Sequence, residues 1–146
     1  MSTSNTFQVE ADELQRLVHT LRYSTGDPLL DTGGLRAPVD DYNVYDFDPI
    51  ESPRHAEAYM AAVALLERLT RVSSRQYRSY QLKHLVERVA ASKGKRIYIP
   101  TGVAIAAAFK MGLVTKKELL NDARKGIHAQ LHISPAEASR LDPCVA

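Results

Sequence analysis

The sequence predicts an all-α protein: a compact bundle of five or six helices, with a long acidic loop between the first two and at most one very short β element. Three observations carry this. Apolar residues recur at helical spacing in several segments, Ser/Thr-x-x-Glu cap signals stand before two of them, and one Pro/Gly-punctuated stretch shows no 3.6-residue apolar period. At 146 residues with one cysteine, Cys144, the chain reads as one domain, 1–146, that folds without an internal disulfide or a Cys-based zinc site.

Taken in order, residues 1–6 read as frayed. From Phe7 to Leu21, Leu14, Leu17, Val18 and Leu21 fall on one helical face, and Glu10, Asp12 and Glu13 lie early, where the helix dipole favours negative charge. Residues 23–52 hold three prolines, three glycines and seven acids against one base, Arg36, and read as the acidic loop or arm. Ser52-Pro53 then signals a helix start, with Tyr59, Val63, Leu66 and Leu69 as an apolar stripe to about Val72. Ser79 is expected to cap a helix over 80–91 that buries Leu82, Leu85, Val86 and Val89 and turns Lys83 and Glu87 outward as an i,i+4 pair. Ile97-Tyr98-Ile99 is a short extended segment, since Pro100 disfavours helix at the residue before it. Thr101 is expected to cap an alanine-rich helix, 102–111, ended by Gly112; its small side chains let neighbours approach, which places it at the centre. Thr115–Glu118 and Ser134–Glu137 are capping boxes for helices at 116–125 and 135–141.

Charge is divided along the chain. Residues 1–67 carry 12 acidic and 4 basic side chains, and residues 68–96 carry nine basic and one acidic. Two candidate surfaces follow. The acidic one is the run Asp40, Asp41, Tyr42, Tyr45, Asp46, Phe47 and Asp48, carboxylates interleaved with aromatics, the residues that anchor protein interfaces. The basic one is Arg68, Arg71, Arg75, Arg78, Lys83, Lys93, Lys95 and Arg96; the four arginines would form one ridge if the helix continued through Ser73-Ser74. Such a surface suits phosphates or an acidic protein. It also suits the chain's own arm, which would satisfy both charge runs until a partner arrives.

Catalytic and metal motifs are absent. His19, His55, His84, His128 and His132 are scattered without ligand spacing, so no metal site and no cofactor are expected. Asp31-Thr32-Gly33 matches an aspartic-protease tripeptide but lacks the strand-rich surroundings, and Asp40–Asp48 lacks the Gly and terminal Glu of a calcium loop. Ala108-x-x-x-Gly112 followed by Leu113-Val114-Thr115 resembles the middle of a helix-turn-helix, but Glu118 and Asn121 stand where its second helix needs apolar residues. The N-terminus has no basic-then-apolar leader, and Val103–Phe109 is too short to span a bilayer, so a cytoplasmic protein without membrane partners is expected.

Ser79-Tyr80-x-Leu82-Lys83-His84-x-x-Glu87, followed by Tyr98-Ile99-x-x-Gly102-x-x-Ile105-Ala106-Ala107-Ala108, resembles a pattern in small proteins of phages and integrative elements. It departs at Gln81, where those proteins usually have Gly, and at Thr101, where Asn is common. The resemblance implies action inside a bacterial host and supplies no catalytic residue. By analogy with other small mobile-element proteins, the expectation is a non-enzymatic interaction protein that binds and inhibits a host nucleoprotein complex, such as a CRISPR effector, as anti-CRISPR proteins do, with no small-molecule substrate. The alternative is a nucleic-acid-binding accessory protein or regulator acting through residues 68–96.

Overall fold

In the computed structural model, residues 3–37 and 55–144 are described, residues 3–8 by their backbone alone. The elements are α1 (Thr3–Thr20), β1 (Leu30–Asp31), β2 (Gly34–Leu35), α2 (Ala56–Leu66), β3 (Tyr77–Arg78), α3 (Ser79–Ser92), α4 (Thr101–Lys110), α5 (Lys116–Ala123), β4 (Gln130–Leu131) and α6 (Pro135–Leu141). The protein is mainly helical, with six helices and two two-stranded sheets among the described residues.

Helix α4 is the hub. Thr101 through Ala108 are all buried, and the helix packs against α1, α2, α3 and β2. Four alanines and Gly102 allow this, because their small side chains leave room for neighbouring backbones to close in. Around α4, the α1 stripe Ala11, Leu14 and Val18, Leu21 just past its end, and the α2 residues Tyr59, Ala62, Leu65 and Leu66 complete one side of the core. From α3, Leu82, Leu85 and Val86 close the other side, as the spacing predicts. An ion pair of 2.7 Å between Lys110 Nζ and Glu13 Oε1 ties the C-terminal end of α4 to α1.

Helix α2 ends at Leu66 rather than near Val72. The next residues have their polar groups committed elsewhere. The Val72 amide donates to the His132 carbonyl at 3.2 Å, the Thr70 amide to Glu137 Oε1, and Arg71 Nε to the Gly112 carbonyl at 3.1 Å. These long-range bonds replace the helical ones that would have carried α2 onward. The four-arginine ridge therefore does not form, because Arg68, Arg71, Arg75 and Arg78 lie along a non-helical connection.

Two further expectations are corrected. Residues 23–37 do not belong to a loose arm. An Arg22–Pro28 bridge and the β1–β2 hairpin (Leu30 opposite Leu35, Asp31 opposite Gly34) shape them, and Leu29, Leu30 and Leu35 enter the core. Thr32-Gly33 is the turn of that hairpin, with the Gly33 amide donating to Asp31 Oδ1 at 2.8 Å and Asp31 paired with Arg36 at 2.8 Å. Secondly, there are two two-stranded sheets among the described residues rather than at most one very short β element: besides β1–β2, the sequence-distant β3 and β4 pair, Tyr77 with Leu131 and Arg78 with Gln130, and Ile97–Ile99 joins neither sheet.

The caps were partly legible. Thr115 and Glu118 form the reciprocal box, with the Glu118 amide donating to Thr115 Oγ1 at 3.1 Å and the Thr115 amide to Glu118 Oε1 at 2.9 Å. Ser134 accepts from the Glu137 amide at 3.3 Å, but the Glu137 carboxylate is spent on Thr70, so that cap is one-sided. Ser79 does not cap α3. It is the first helical residue, and its buried Oγ accepts from the Ala129 amide at 2.9 Å; Gln81 Oε1 takes the Arg78 amide instead. Thr101 likewise opens α4, with Pro100 at the cap position.

Candidate partner-binding surfaces

The basic residues divide by what the fold does with them. Arg75 is consumed: Nη1 lies 2.7 Å from Asp122 Oδ2, Nε 3.3 Å from Glu118 Oε2, and Nη1 also donates to the Gln130 carbonyl. Buried His132 joins the same cluster, with Nε2 2.8 Å from Glu118 Oε2 and Nδ1 3.0 Å from the Val72 carbonyl. Arg71 is tied to Gly112. Lys83, expected on the outer face, is 7% exposed and pairs with Glu87 Oε2 at 3.4 Å. Arg68, Arg78, Lys93, Lys95 and Arg96 are exposed and make no ion pair with a described carboxylate.

Three of these free cations border one feature. Between α2 and the C-terminal half of α3 runs an open groove of about 280 Å³. Met60, Ala61, Ala64 and Leu65 of α2 form one wall, and Val86, Val89, Ala90 and Ile97 the other. Arg68 follows the end of α2, and Lys93 and Lys95 follow the end of α3, so each cation also faces the negative end of a helix dipole. Among the described residues, Glu57 is the one acid in the lining. The volume lies just below the roughly 300–1,000 Å³ of small-ligand pockets, and the walls are aliphatic with no convergent polar groups. That argues for a few apolar side chains rather than a cofactor.

A second cluster lies on the face of α3 that carries Tyr80, Lys83, His84 and Glu87 at i, i+3, i+4 and i+7. Glu87 is its hinge point. Its carboxylate accepts from the Ile99 amide at 3.1 Å and from His84 Nδ1 at 2.8 Å, and it balances Lys83. The Lys83 ammonium sits 4.5 Å from the centre of the Tyr98 ring, a cation–π contact that covers it on the remaining side. Tyr80 meets His84 and His128 edge-on at 4.6 and 5.4 Å. Tyr80 and Tyr98 nevertheless stay 52% and 71% exposed. The cluster works as a clamp, fixing the extended 97–99 segment on α3 and so aiming α4 into the core.

The electrostatics of the clamp and its neighbours point one way. Burial pushes the Glu87 carboxyl up, but the Ile99 amide, Lys83 and His84 outweigh it and hold it below the usual range. Glu118 is likewise raised by burial and lowered more by the Thr115 amide and His132. Asp142 is held low mainly by hydrogen bonds from Arg88, which grips it through Nε (3.1 and 3.2 Å) and Nη2 (2.8 Å). His128 is pushed down by burial and by the positive charges of Arg78 and Lys83. In each case the folded state binds fewer protons than the unfolded chain, so stability rises with pH. Unfolding by urea should show a midpoint that first declines as His128 is protonated below its ordinary value of 6.5 and falls more steeply below about pH 4.5 as the three carboxylates titrate. A midpoint constant from pH 7 to pH 3.5 would refute this.

The run Asp40, Asp41, Tyr42, Tyr45, Asp46, Phe47 and Asp48 lies outside the described residues, as does Ser52-Pro53. Among the described residues, no group of three or more His, Cys, Asp or Glu side chains could hold a metal ion, and no helix is long and apolar enough to cross a membrane. Reasoning from charge alone missed both the groove and the clamp. The clamp had a signal, since Tyr80, Lys83, His84 and Glu87 recur at i, i+3, i+4 and i+7 and Tyr98 follows in the segment before Pro100. The groove had none, because its walls come from segments whose pairing no local pattern specifies. No protein-family model, curated protein or solved structure matches this chain.

Proposed function

We propose that this chain is a non-enzymatic interaction protein that docks on a larger host complex through the edge where Arg68, Lys93, Lys95 and Arg96 stand. The observation that carries the reading is that these cations, unlike Arg75 and Lys83, are spent on no described carboxylate while three of them border an apolar groove. Unspent charge beside apolar surface is what an interface needs: the charges steer and orient, and the apolar area holds. By analogy with other small mobile-element proteins, the complex is a bacterial defence assembly such as a CRISPR effector, and binding inhibits it. The test is capture from a bacterial lysate, with and without nuclease, on the immobilised protein and on its Arg68/Lys93/Lys95/Arg96→Glu variant. A specific set of proteins should be retained by the parent, survive nuclease and be lost by the variant. Identical retention on both would sink the reading.

A second reading has its own observation. Tyr80 and Tyr98 are more than half exposed, and Arg78 and Arg96 stand nearby in sequence, which suits stacking on single-stranded bases beside a phosphate track. Three or four phosphate contacts would give a slope of log affinity against log salt of about −2 to −3. No gel shift of mixed-sequence RNA or DNA at low salt would remove it.

A further inference from the structure

We infer that the α2–α3 groove receives an acidic, amphipathic peptide segment of the partner protein, its apolar side chains seated between the helices and its carboxylates on Arg68, Lys93 and Lys95. The inference rests on the proposed docking function and names what docks. Three features select this occupant. The described walls are aliphatic, so what enters between them must be apolar. Ala61 and Ala64 give the α2 wall a shelf of short side chains, which leaves room for protruding ones, and Met60 adds a side chain that adapts to irregular partners. Among the described residues the rim carries three cations against the single acid Glu57, so the polar edge of an occupant that matches them is mainly acidic. A nucleic acid would satisfy the rim and waste the walls. A neutral lipid or small apolar molecule would satisfy the walls and waste the rim. An amphipathic segment with apolar residues at i, i+3, i+4 and i+7 and Asp or Glu between them satisfies both, in the helix-in-groove mode.

The rim and the walls make separable predictions. Reversing the rim removes attraction and replaces it with repulsion, while filling the shelf removes the seat without touching charge. Ala64 is exposed on α2, so a large side chain there fills the groove and leaves the core alone.

The experiment uses the full chain and a fluorescein-labelled synthetic peptide about 18 residues long, enough for a marginal helix, with Leu at i, i+3, i+4 and i+7 and Glu elsewhere, read by anisotropy. Labelled polyglutamate of equal length is the comparison. The parent should bind the peptide at least tenfold more tightly than polyglutamate. Arg68→Glu/Lys93→Glu/Lys95→Glu and Ala64→Trp should each weaken binding at least tenfold, with unchanged circular dichroism. Equal affinity of the parent for peptide and polyglutamate would overturn the inference, as would undiminished binding by both variants. The Asp40/Asp41/Asp46/Asp48→Asn variant adds one more arm. If the peptide binds that variant but not the parent, the occupant is the chain's own acidic run and the partner assignment fails; no binding to either also overturns it. Lysate capture lost on rim reversal, together with a peptide that does not bind, leaves the docking function standing and removes only this occupant. Lysate capture indifferent to the rim removes the docking function itself.

Discussion

Glu87→Ala is expected to lower the free energy of unfolding by about 3 kcal/mol, from the cost of stranding one member of a largely buried ion pair, discounted for the part of the carboxylate that water reaches. The side chains of Lys83 and Glu87 are 9% and 21% exposed. Removing the carboxylate leaves the Lys83 ammonium with only the Tyr98 face, strips the Ile99 amide of its acceptor and frees His84. The damage should propagate to α4, because Ile99 and Pro100 lead directly into it. Glu87→Gln should cost less, since an amide oxygen can still accept from Ile99. Adding Lys83→Met to Glu87→Gln should recover part of the loss, because the stranded charge is gone, and a double-mutant cycle on the two positions isolates the coupling. Urea denaturation measures all three. A loss below about 0.5 kcal/mol for Glu87→Ala, the level of an ordinary surface substitution, would show that the clamp is ornamental.

Gly34→Ala is expected to cost about 3 kcal/mol, combining a strained backbone of roughly 1–3 kcal/mol with the loss of a buried hydrogen bond worth about 1 kcal/mol. Gly34 has φ +126°, where L residues are rarely found, and a Cβ there would stand 2.3 Å from the Ile127 carbonyl oxygen. That oxygen is the acceptor of the Leu35 amide at 2.8 Å, so the hairpin cannot back away without giving up the bond. Leu30 and Leu35, buried on either side, would move with it. Gly26→Ala is the internal control. Its φ of +93° imposes backbone strain as well, but nothing lies within 4 Å of the added carbon. It should therefore lose about 1 kcal/mol, the lower end of the strain range. Equal losses at the two glycines would mean that contact with Ile127 contributes nothing.

The clamp and the hairpin show why the candidate site was only half legible. Lys83 and Glu87 were readable as an i,i+4 pair, but whether such a pair faces water or the 97–99 segment depends on what packs over it. The same holds for the arginines. Arg68, Arg71, Arg75 and Arg78 are spaced as one helical ridge, yet Glu118, Asp122, Gly112 and Gln130 draw two of them inward from across the fold. Of the eight basic residues proposed to meet a partner, Arg71, Arg75 and Lys83 serve the protein's own architecture, and Arg68, Lys93 and Lys95 are gathered at the groove. Burial sorts charges that composition counts equally.

The sequence by itself determined a mainly helical fold of five or six helices, the approximate ends of most of them, the central place of the alanine-rich α4 and the Thr115 cap. All of these rest on contacts within a few residues, on apolar periods, small side chains and local amide acceptors, which a linear reading can see. Only the tertiary structure decided that α2 stops at Leu66, that Leu29, Leu30 and Leu35 belong to the core, that Ser79 and Glu137 bond to distant amides, and that α2 and α3 leave an apolar groove between them with cations at its rim. Each of those outcomes is a competition between a local partner and one distant in sequence, or a pairing of surfaces. Local spacing cannot settle either, because the free energy that decides it comes from burial and from polar groups that must find partners once buried.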